Sequence, residues 1–321
     1  MNIGRRQILA FGAALALPRI ARADPNDTAR WVAGLAGGSG DEWNAYARIE
    51  NERWTALEGR RKALRAFFDA ELKAIVPADA TLFYPFGGPD LLHASALFPV
   101  AKRIVLVGLE PVGTVPVPPP AGYFGRLGTS LDELHRIGFF RTADMASDFA
   151  RDGVTGVLLA TIARLGGTVE RMTPTTGPSA LRIDFKLDGE ARRVDYVNAD
   201  LSNAGLRSWA GAATLAPHVT LVKAGMYLLA EPRFSQLRQL LLDGTSVLVQ
   251  DDTGIPFRLL GERFATRLFG SYEAPRKPFE ERLQPELRTA YASKTPRPLA
   301  FGFGYAIEAK RSNLLVGTRS T

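Results

Sequence analysis

Two adjacent acidic residues are the clearest candidates for chemistry in this chain. Residues 246–250 form an apolar run that predicts a buried strand, and Asp251 and Asp252 follow it directly. Open α/β sheets bind ligands outside the carboxyl ends of their strands. Carboxylates placed there could coordinate a hard cation, act as a general base or hold a sugar hydroxyl. We therefore predict Asp251 and Asp252 as catalytic residues, with turn formation through Asp-Asp-Thr253-Gly254 as the alternative.

A second group of candidates follows an apolar strand near residues 80–86. The strand runs into Gly87, Gly88 and Asp90, a short helix follows, and a second apolar strand at 102–108 leads to Glu110. This is the order of the first unit of a Rossmann-like sheet, in which the acid binds a ribose hydroxyl. The turn is not Gly-x-Gly-x-x-Gly, however, and Pro89 lacks a backbone donor for a phosphate. The pattern argues against a dinucleotide and fits a methyltransferase-like sheet better.

Three further polar residues complete the predicted ligand-binding set. His93 lies just after the glycine turn, Asp200 follows a predicted strand at 193–198, and Lys223 ends another at 218–223. The predicted ligand-binding residues are Gly87, Gly88, Asp90, His93, Glu110, Asp200 and Lys223. No histidine spacing suits a metal site, and no Gly-x-Ser-x-Gly suggests a serine hydrolase. The chain has no cysteine, which excludes disulfides and thiolate ligands.

The elements that must position these residues predict an α/β fold. We expect an open, mostly parallel Rossmann-like sheet with strands at 193–198, 218–223, 246–251 and 299–305. An alternating segment from residue 181 turns at Asp188-Gly189 and continues to 197, which predicts an antiparallel hairpin. Apolar residues at helical spacing predict an N-terminal helical extension over 41–75. Residues 24–40 read as a flexible lead-in, and 41–321 as a single α/β domain.

The first 23 residues resemble a twin-arginine signal peptide. Arg5-Arg6 precedes an apolar run at 8–17, and Ala21-Arg22-Ala23 offers a small-x-small cleavage site. The resemblance implies the twin-arginine export machinery as a partner, cleavage after Ala23 and a periplasmic location. The alternative is a basic, amphipathic first helix. About ten apolar residues are too few for a membrane span of about 20, so we expect no stable span after cleavage.

Removal of the signal leaves little net charge. The chain carries 40 Lys and Arg against 33 Asp and Glu, a net charge of +7. Four arginines and no acids precede Asp24, so the mature balance is 36 against 33, or +3. Nucleic-acid binding would require a clustered basic face, which the sequence does not show.

Three blocks of the sequence resemble those of an uncharacterised family of exported bacterial proteins. The blocks are Tyr84-Pro-Phe-Gly-Gly-Pro-Asp90, Gly108-Leu-Glu-Pro-Val-Gly113 and Gln250-Asp-Asp-Thr-Gly-Ile-Pro256. The resemblance implies a shared α/β core and a ligand crevice around the blocks, and it implies no activity or cofactor. Two hypotheses remain: a periplasmic protein that binds a small polar ligand and could act on it, or a degenerate, non-catalytic scaffold for envelope binding or assembly.

Overall fold

A nine-stranded mixed sheet forms the centre of this α/β protein. The computed structural model describes residues 24–137, 152–175, 180–209, 211, 215 and 218–320, so the predicted signal peptide lies outside the described residues. The strand order is β3-β4-β5-β2-β1-β6-β7-β9-β8. The strands are β1 (Thr81–Tyr84), β2 (Arg103–Gly108), β3 (Thr168–Thr175), β4 (Ala180–Leu187), β5 (Glu190–Asn198), β6 (His218–Val222), β7 (Thr245–Gln250), β8 (Phe264–Gly270) and β9 (Asn313–Arg319).

Parallel and antiparallel pairings contribute equally to this sheet. The neighbours β5-β2, β2-β1, β1-β6 and β6-β7 are parallel. The pairs β3-β4, β4-β5, β7-β9 and β8-β9 are antiparallel. The predicted α/β class and the hairpin are therefore confirmed, but a mostly parallel, Rossmann-like sheet is not. The hairpin turns at Asp188 and Gly189, whose φ angles of 54° and 78° suit a two-residue turn.

The strand predicted at 299–305 is wrong, and the two strands at one edge of the sheet, β8 and β9, were not predicted. Residues 299–305 form an irregular segment in which Gly304 has a φ of +65°. A Cβ atom on Gly302 would lie 2.0 Å from the carbonyl oxygen of Ile307, because the chain folds back on itself here. Phe301 and Phe303 are still buried, so the apolar alternation reports burial without strand pairing. The edge is formed instead by β8 and β9.

Helices cover both faces of the sheet. They are α1 (Pro25–Val32), α2 (Asp41–Ala56), α3 (Glu58–Phe67) with a π-helical turn at Phe68–Leu72, α4 (Leu91–Leu97), α5 (Tyr123–Ile137), α6 (Thr155–Arg164), α7 (Asn203–Ser208), α8 (Ser235–Gly244) and α9 (Pro285–Ser293). The expected lead-in at 24–40 contains α1, which Asp24 caps and whose Ala29 and Val32 are buried. In the described part of the chain, no helix is both long enough and apolar enough to cross a membrane.

The sheet separates two apolar clusters. Leu82 and Tyr84 of β1 pack with the N-terminal helices, whereas Phe83 packs with the other cluster, which includes α8 and α9. Successive side chains of a strand point to opposite faces, so a strand buried on both faces reads as a continuous apolar run. Burial on both faces stabilises the central strands, and the turns at their carboxyl ends form the candidate site.

Candidate functional site

A large crevice lies at the carboxyl ends of the parallel strands. Its volume is about 1080 Å³, just above the range of about 300–1,000 Å³ typical of small-molecule sites. The predicted residues Gly88, Glu110 and Asp200 line it. Its other walls are mostly apolar and include Phe86, Leu109, Met226, Phe234, Phe279 and Tyr305.

Close backbone packing shapes the turn that follows β1. The Gly88 N–H donates to the carbonyl oxygen of Val107 over 3.2 Å. A Cβ atom on Gly108 would lie 2.9 Å from the Gly88 Cα, so the turn touches the end of β2. Gly87 does not line the crevice; a Cβ atom there would lie 2.7 Å from the ring of Tyr84. Of the two predicted glycines, only Gly88 borders the space where a ligand could lie.

Asp90 closes the end of α4 that a phosphate would otherwise approach. Its carboxylate accepts a hydrogen bond of 3.2 Å from the N–H of His93, and Asp90 is fully buried. Pro89 supplies no N–H group. An internal carboxylate therefore occupies the position that an anion would take at this helix start.

Asp90 also belongs to a buried network with three other side chains. Its Oδ2 atom is 2.7 Å from Nζ of Lys223 and accepts a 3.0 Å hydrogen bond from the hydroxyl of Tyr84. Its Oδ1 atom is 2.9 Å from Nδ1 of His93. Burial lowers the pKa of His93 to about 4, so the imidazole is neutral at pH 7. Burial opposes ionisation of Asp90, but attraction by its basic partners outweighs it and holds the pKa of Asp90 well below its usual range.

The network lies beneath the crevice and does not line it. Lys223, His93 and Asp90 are each at most 2% exposed. Burial lowers the pKa of Lys223, and the attraction of Asp90 opposes this shift. With the imidazole neutral, the ammonium of Lys223 is the charge that keeps Asp90 ionised. The structure brings these three predicted residues together as an internal ion-pair network.

The predicted ribose-binding acid, Glu110, has a partner within the protein. The hydroxyl of Tyr196 donates to Oε2 of Glu110 over 3.1 Å and to its carbonyl oxygen over 2.8 Å. A Cβ atom on Gly108 would lie 2.2 Å from the same Oε2 atom. Glu110 is 4% exposed yet borders the crevice, so its carboxylate presents a small acceptor surface to a ligand.

Asp200 is the exposed acid of the crevice. Its carboxylate accepts hydrogen bonds from the N–H and the hydroxyl of Ser202, over 2.8 and 2.7 Å. These bonds lower the pKa of Asp200, so it is ionised at neutral pH. Asp200 and Glu110 follow the neighbouring strands β5 and β2, and both border the crevice, as their positions at strand ends predict.

Asp251 and Asp252 project to different places although they are adjacent. Asp251 is fully enclosed: one oxygen accepts the N–H of Ala224 over 3.0 Å and the other accepts the N–H of Thr253 over 3.0 Å. Asp252 borders a smaller cleft of about 330 Å³. Its oxygens accept hydrogen bonds from the hydroxyl of Tyr227 and the side-chain amide of Asn313.

The two acids influence each other's ionisation. Burial, followed by repulsion from Asp252, raises the pKa of Asp251 to about 7. Burial also raises the pKa of Asp252, against hydrogen bonds from Tyr227 and Asn313. Buried acids with raised pKa values can act as proton donors near neutral pH, but they also occur in structural networks.

Sequence reasoning missed the wall that separates the crevice from the smaller cleft. Pro275, Arg276, Tyr305 and Arg311 line both cavities and lie on the long connection between β8 and β9. The rings of Phe279 and Tyr305 are 5.3 Å apart in this wall. The segment has no period and no recognisable motif, so only its density of arginine, proline and aromatic residues could have drawn attention to it.

The described residues contain no group of three or more His, Cys, Asp or Glu side chains that could hold a metal ion. A comparison with known protein families and with curated proteins found no match.

Proposed function

We propose that the mature protein binds a small ligand with polar groups in the crevice at the carboxyl ends of its parallel strands. The crevice itself carries this proposal: about 1080 Å³ of space is bordered by the turns after β1, β2, β5 and β6. A scaffold without a ligand would gain stability by filling that space with side chains. Phe83 and Tyr84 lie in the core and leave it open, and Phe86 only lines it.

The character of the lining narrows the ligand class. The walls are mainly apolar, while Glu110 and Asp200 supply acceptors at one side. Small-molecule sites commonly combine an apolar surface with a few fixed polar groups that orient the ligand. The ligand therefore has an apolar or aromatic part beside its polar groups. No particular cofactor follows from this lining.

Blocking the crevice tests this proposal. Ala199 is half-buried and borders the crevice, so Ala199→Trp places a large ring in the space. Ala191 lies near the start of β5, the strand that Ala199 follows, and is exposed and distant from the crevice end of that strand, so Ala191→Trp is the matched control. Native mass spectrometry of protein recovered from the periplasm should show a bound small molecule on wild type and on the Ala191 variant only. Equal occupancy of all three proteins would contradict binding in the crevice.

We also propose that the five parallel strands form a Rossmann-like, methyltransferase-like unit. Support comes from the order β5-β2-β1-β6-β7, in which the chain starts at β1, extends to one side and then returns to the other. The direction of winding reverses between β1 and β6, and ligands bind at such switch points. A ligand bound away from the turns after β1 and β6 would contradict this proposal.

Export to the periplasm by the twin-arginine machinery remains part of the proposal. The paired Arg5 and Arg6 before the apolar run support it. Replacement of both by lysine keeps the charge and should retain the full-length precursor in the cytoplasm, whereas Arg19→Lys should not. Cell fractionation with an antibody against the mature chain measures this, and unchanged export of the double variant would contradict the assignment.

A role for Asp251 and Asp252 in acting on the ligand stays a prediction. Asp251→Asn and Asp252→Asn test it separately, because Asp252 borders the smaller cleft whereas Asp251 lines neither that cleft nor the crevice. Loss of ligand conversion with little loss of stability would support catalysis. Loss of stability without any change in the bound ligand would favour a structural pair.

One observation favours the alternative of a non-catalytic scaffold. The buried candidates Asp90, His93 and Lys223 bond to one another, so none of them is directed at a ligand. On that hypothesis, the protein acts in envelope binding or assembly. A wild-type protein that carries no small molecule and co-purifies with an envelope component would support it.

A further inference from the structure

The wall between the crevice and the smaller cleft contains two neighbouring arginines. Arg276 and Arg311 border both cavities, and Arg276 is partly buried. Among the described residues, neither guanidinium has a carboxylate within ion-pair distance. Buried Lys223 and partly buried Arg103, by contrast, are each paired with an aspartate.

The two guanidinium groups act on each other electrostatically. Burial and then the positive charge of Arg311 lower the pKa of Arg276, although arginine remains charged at any physiological pH. Like charges held together at a cavity wall are unfavourable unless an anion lies between or beside them. Guanidinium groups present planar pairs of donors that match carboxylate and phosphate oxygens.

Glu308 and Asp252 attract the Arg276 guanidinium and oppose the lowering of its pKa, but among the described residues neither lies within ion-pair distance of it. Glu308 lies 3.7 Å from Nζ of Lys310 instead. Asp252 borders the smaller cleft, but both of its oxygens already accept hydrogen bonds from Tyr227 and Asn313. Glu273 lies in the same cleft with Lys310. In the crevice, the acids Glu110 and Asp200 follow β2 and β5, whereas Arg276, Lys277 and Arg311 lie between β8 and β9 at the other side of the sheet. The crevice therefore has an acidic side and a basic side.

Aromatic rings also line the crevice. Phe86 and Phe234 pack edge to face with centroids 5.7 Å apart, and Phe279 packs against Tyr305. All four border the crevice. A flat apolar body fits among these rings, and a charged group on that body would reach the arginines.

We propose that Arg276 and Arg311 form an anion-binding subsite for an organic acid, a molecule with an aromatic or apolar body in the crevice and a carboxylate or phosphate at the arginines. This inference rests on the proposed ligand-binding function and specifies the chemical class of its ligand. Hydroxyl or ammonium groups at the far end of the same molecule would meet Glu110 and Asp200.

A matched pair of fluorescent probes tests the subsite. 8-Anilinonaphthalene-1-sulfonate and N-phenyl-1-naphthylamine share their aromatic body, and only the first carries an anion. Wild type should bind the sulfonate at least tenfold more tightly. Arg276→Gln with Arg311→Gln should remove most of that preference and leave binding of the neutral probe unchanged. Arg276→Lys should retain part of it, because the lysine keeps a positive charge beside Arg311 but lacks the paired donors of a guanidinium. Arg258→Gln, an exposed arginine outside both cavities, is the control.

The possible results separate this inference from the proposed function. If both probes lose affinity equally in the double variant, or the sulfonate loses none, the anion subsite is refuted while crevice binding stands. If Ala199→Trp changes the binding of neither probe, the crevice does not bind them and both proposals fail. Thermal unfolding of each variant shows whether it is folded.

Displacement of the sulfonate by phenyl phosphate or phenylacetate distinguishes a phosphate from a carboxylate ligand. Inorganic phosphate is the third competitor, and equal displacement by it would show that the aromatic body contributes nothing to binding.

Discussion

Replacement of Asp90 by asparagine should strongly destabilise the protein. Asp90 is 0% exposed and accepts hydrogen bonds from Lys223, His93 and Tyr84. Asp90→Asn keeps the shape of the side chain but removes its charge and directs an N–H₂ group at one of these donors. The ammonium of Lys223 then loses the carboxylate 2.7 Å away.

The size of the loss follows from the burial of both charges. Breaking a buried ion pair by removing one partner costs about 3–5 kcal/mol, because the other charge is left in a medium of low polarity. For a chain of this length we expect the melting temperature to fall by roughly 10 °C. Asp79→Asn, at an exposed position, should change the free energy of unfolding by less than about 0.5 kcal/mol.

The pH dependence of the variant provides a second check. Burial already lowers the pKa of Lys223, and loss of Asp90 should lower it further. The unfolded chain then binds a proton that the folded state releases, so the stability of the variant should rise with pH up to the unfolded lysine pKa of about 10.4. Urea unfolding at pH 6 and pH 9 measures this. A loss below about 1 kcal/mol at pH 6, or a deficit that does not shrink at pH 9, would refute the assignment of a buried ion pair.

Two further results are expected at Asp251. Its raised pKa of about 7 means that the folded state keeps a proton that the unfolded chain releases, so stability should fall as pH rises from about 4 through about 7. Asp251→Asn should flatten this slope in urea titrations between pH 5 and 8, and an unchanged slope would assign it to other groups. Gly304→Ala should cost more than about 2 kcal/mol, because its φ is +65° and its Cβ would lie 2.0 Å from Oδ2 of Asp251. At Gly261, where φ is +47° and nothing lies within 4 Å, the same change should cost about 1 kcal/mol; equal costs would contradict the close contact.

Local signals in the sequence predict the part of the site that follows β1 and β2. The strand, glycine turn, helix and second strand around Gly88 and Glu110 follow in the predicted order. Each depends on residues that are close in sequence: apolar runs for strands, and glycine or aspartate for turns. The hairpin at Asp188-Gly189 belongs to the same class. The placement of Glu110 and Asp200 at one crevice follows because neighbouring parallel strands end at the same edge.

Local signals do not predict the surroundings of Asp251 and Asp252. Adjacent side chains at a strand end project to opposite sides. Asp251 consequently bonds to the turn at Ala224 and Thr253, while Asp252 faces the cleft. Because the two acids are adjacent in the sequence, they were predicted to act on one ligand. Their different surroundings depend on tertiary packing that no local pattern encodes.

Backbone strain concentrates at the same crevice and cleft. Phe86, Ala224, Met226 and Tyr227 all have φ values between +52° and +61° without being glycine. The first three border the crevice, and Tyr227 borders the cleft. A residue in this conformation costs about 1–2 kcal/mol, so four of them persist only where the surrounding structure stabilises them.

The buried Asp251 stabilises the strained turn that contains Ala224, because its carboxylate accepts the N–H of Ala224. The same turn places the exposed side chain of Met226 at the crevice wall. A structure selected for stability alone would place glycine or asparagine at such positions, so this strain supports a function for the crevice.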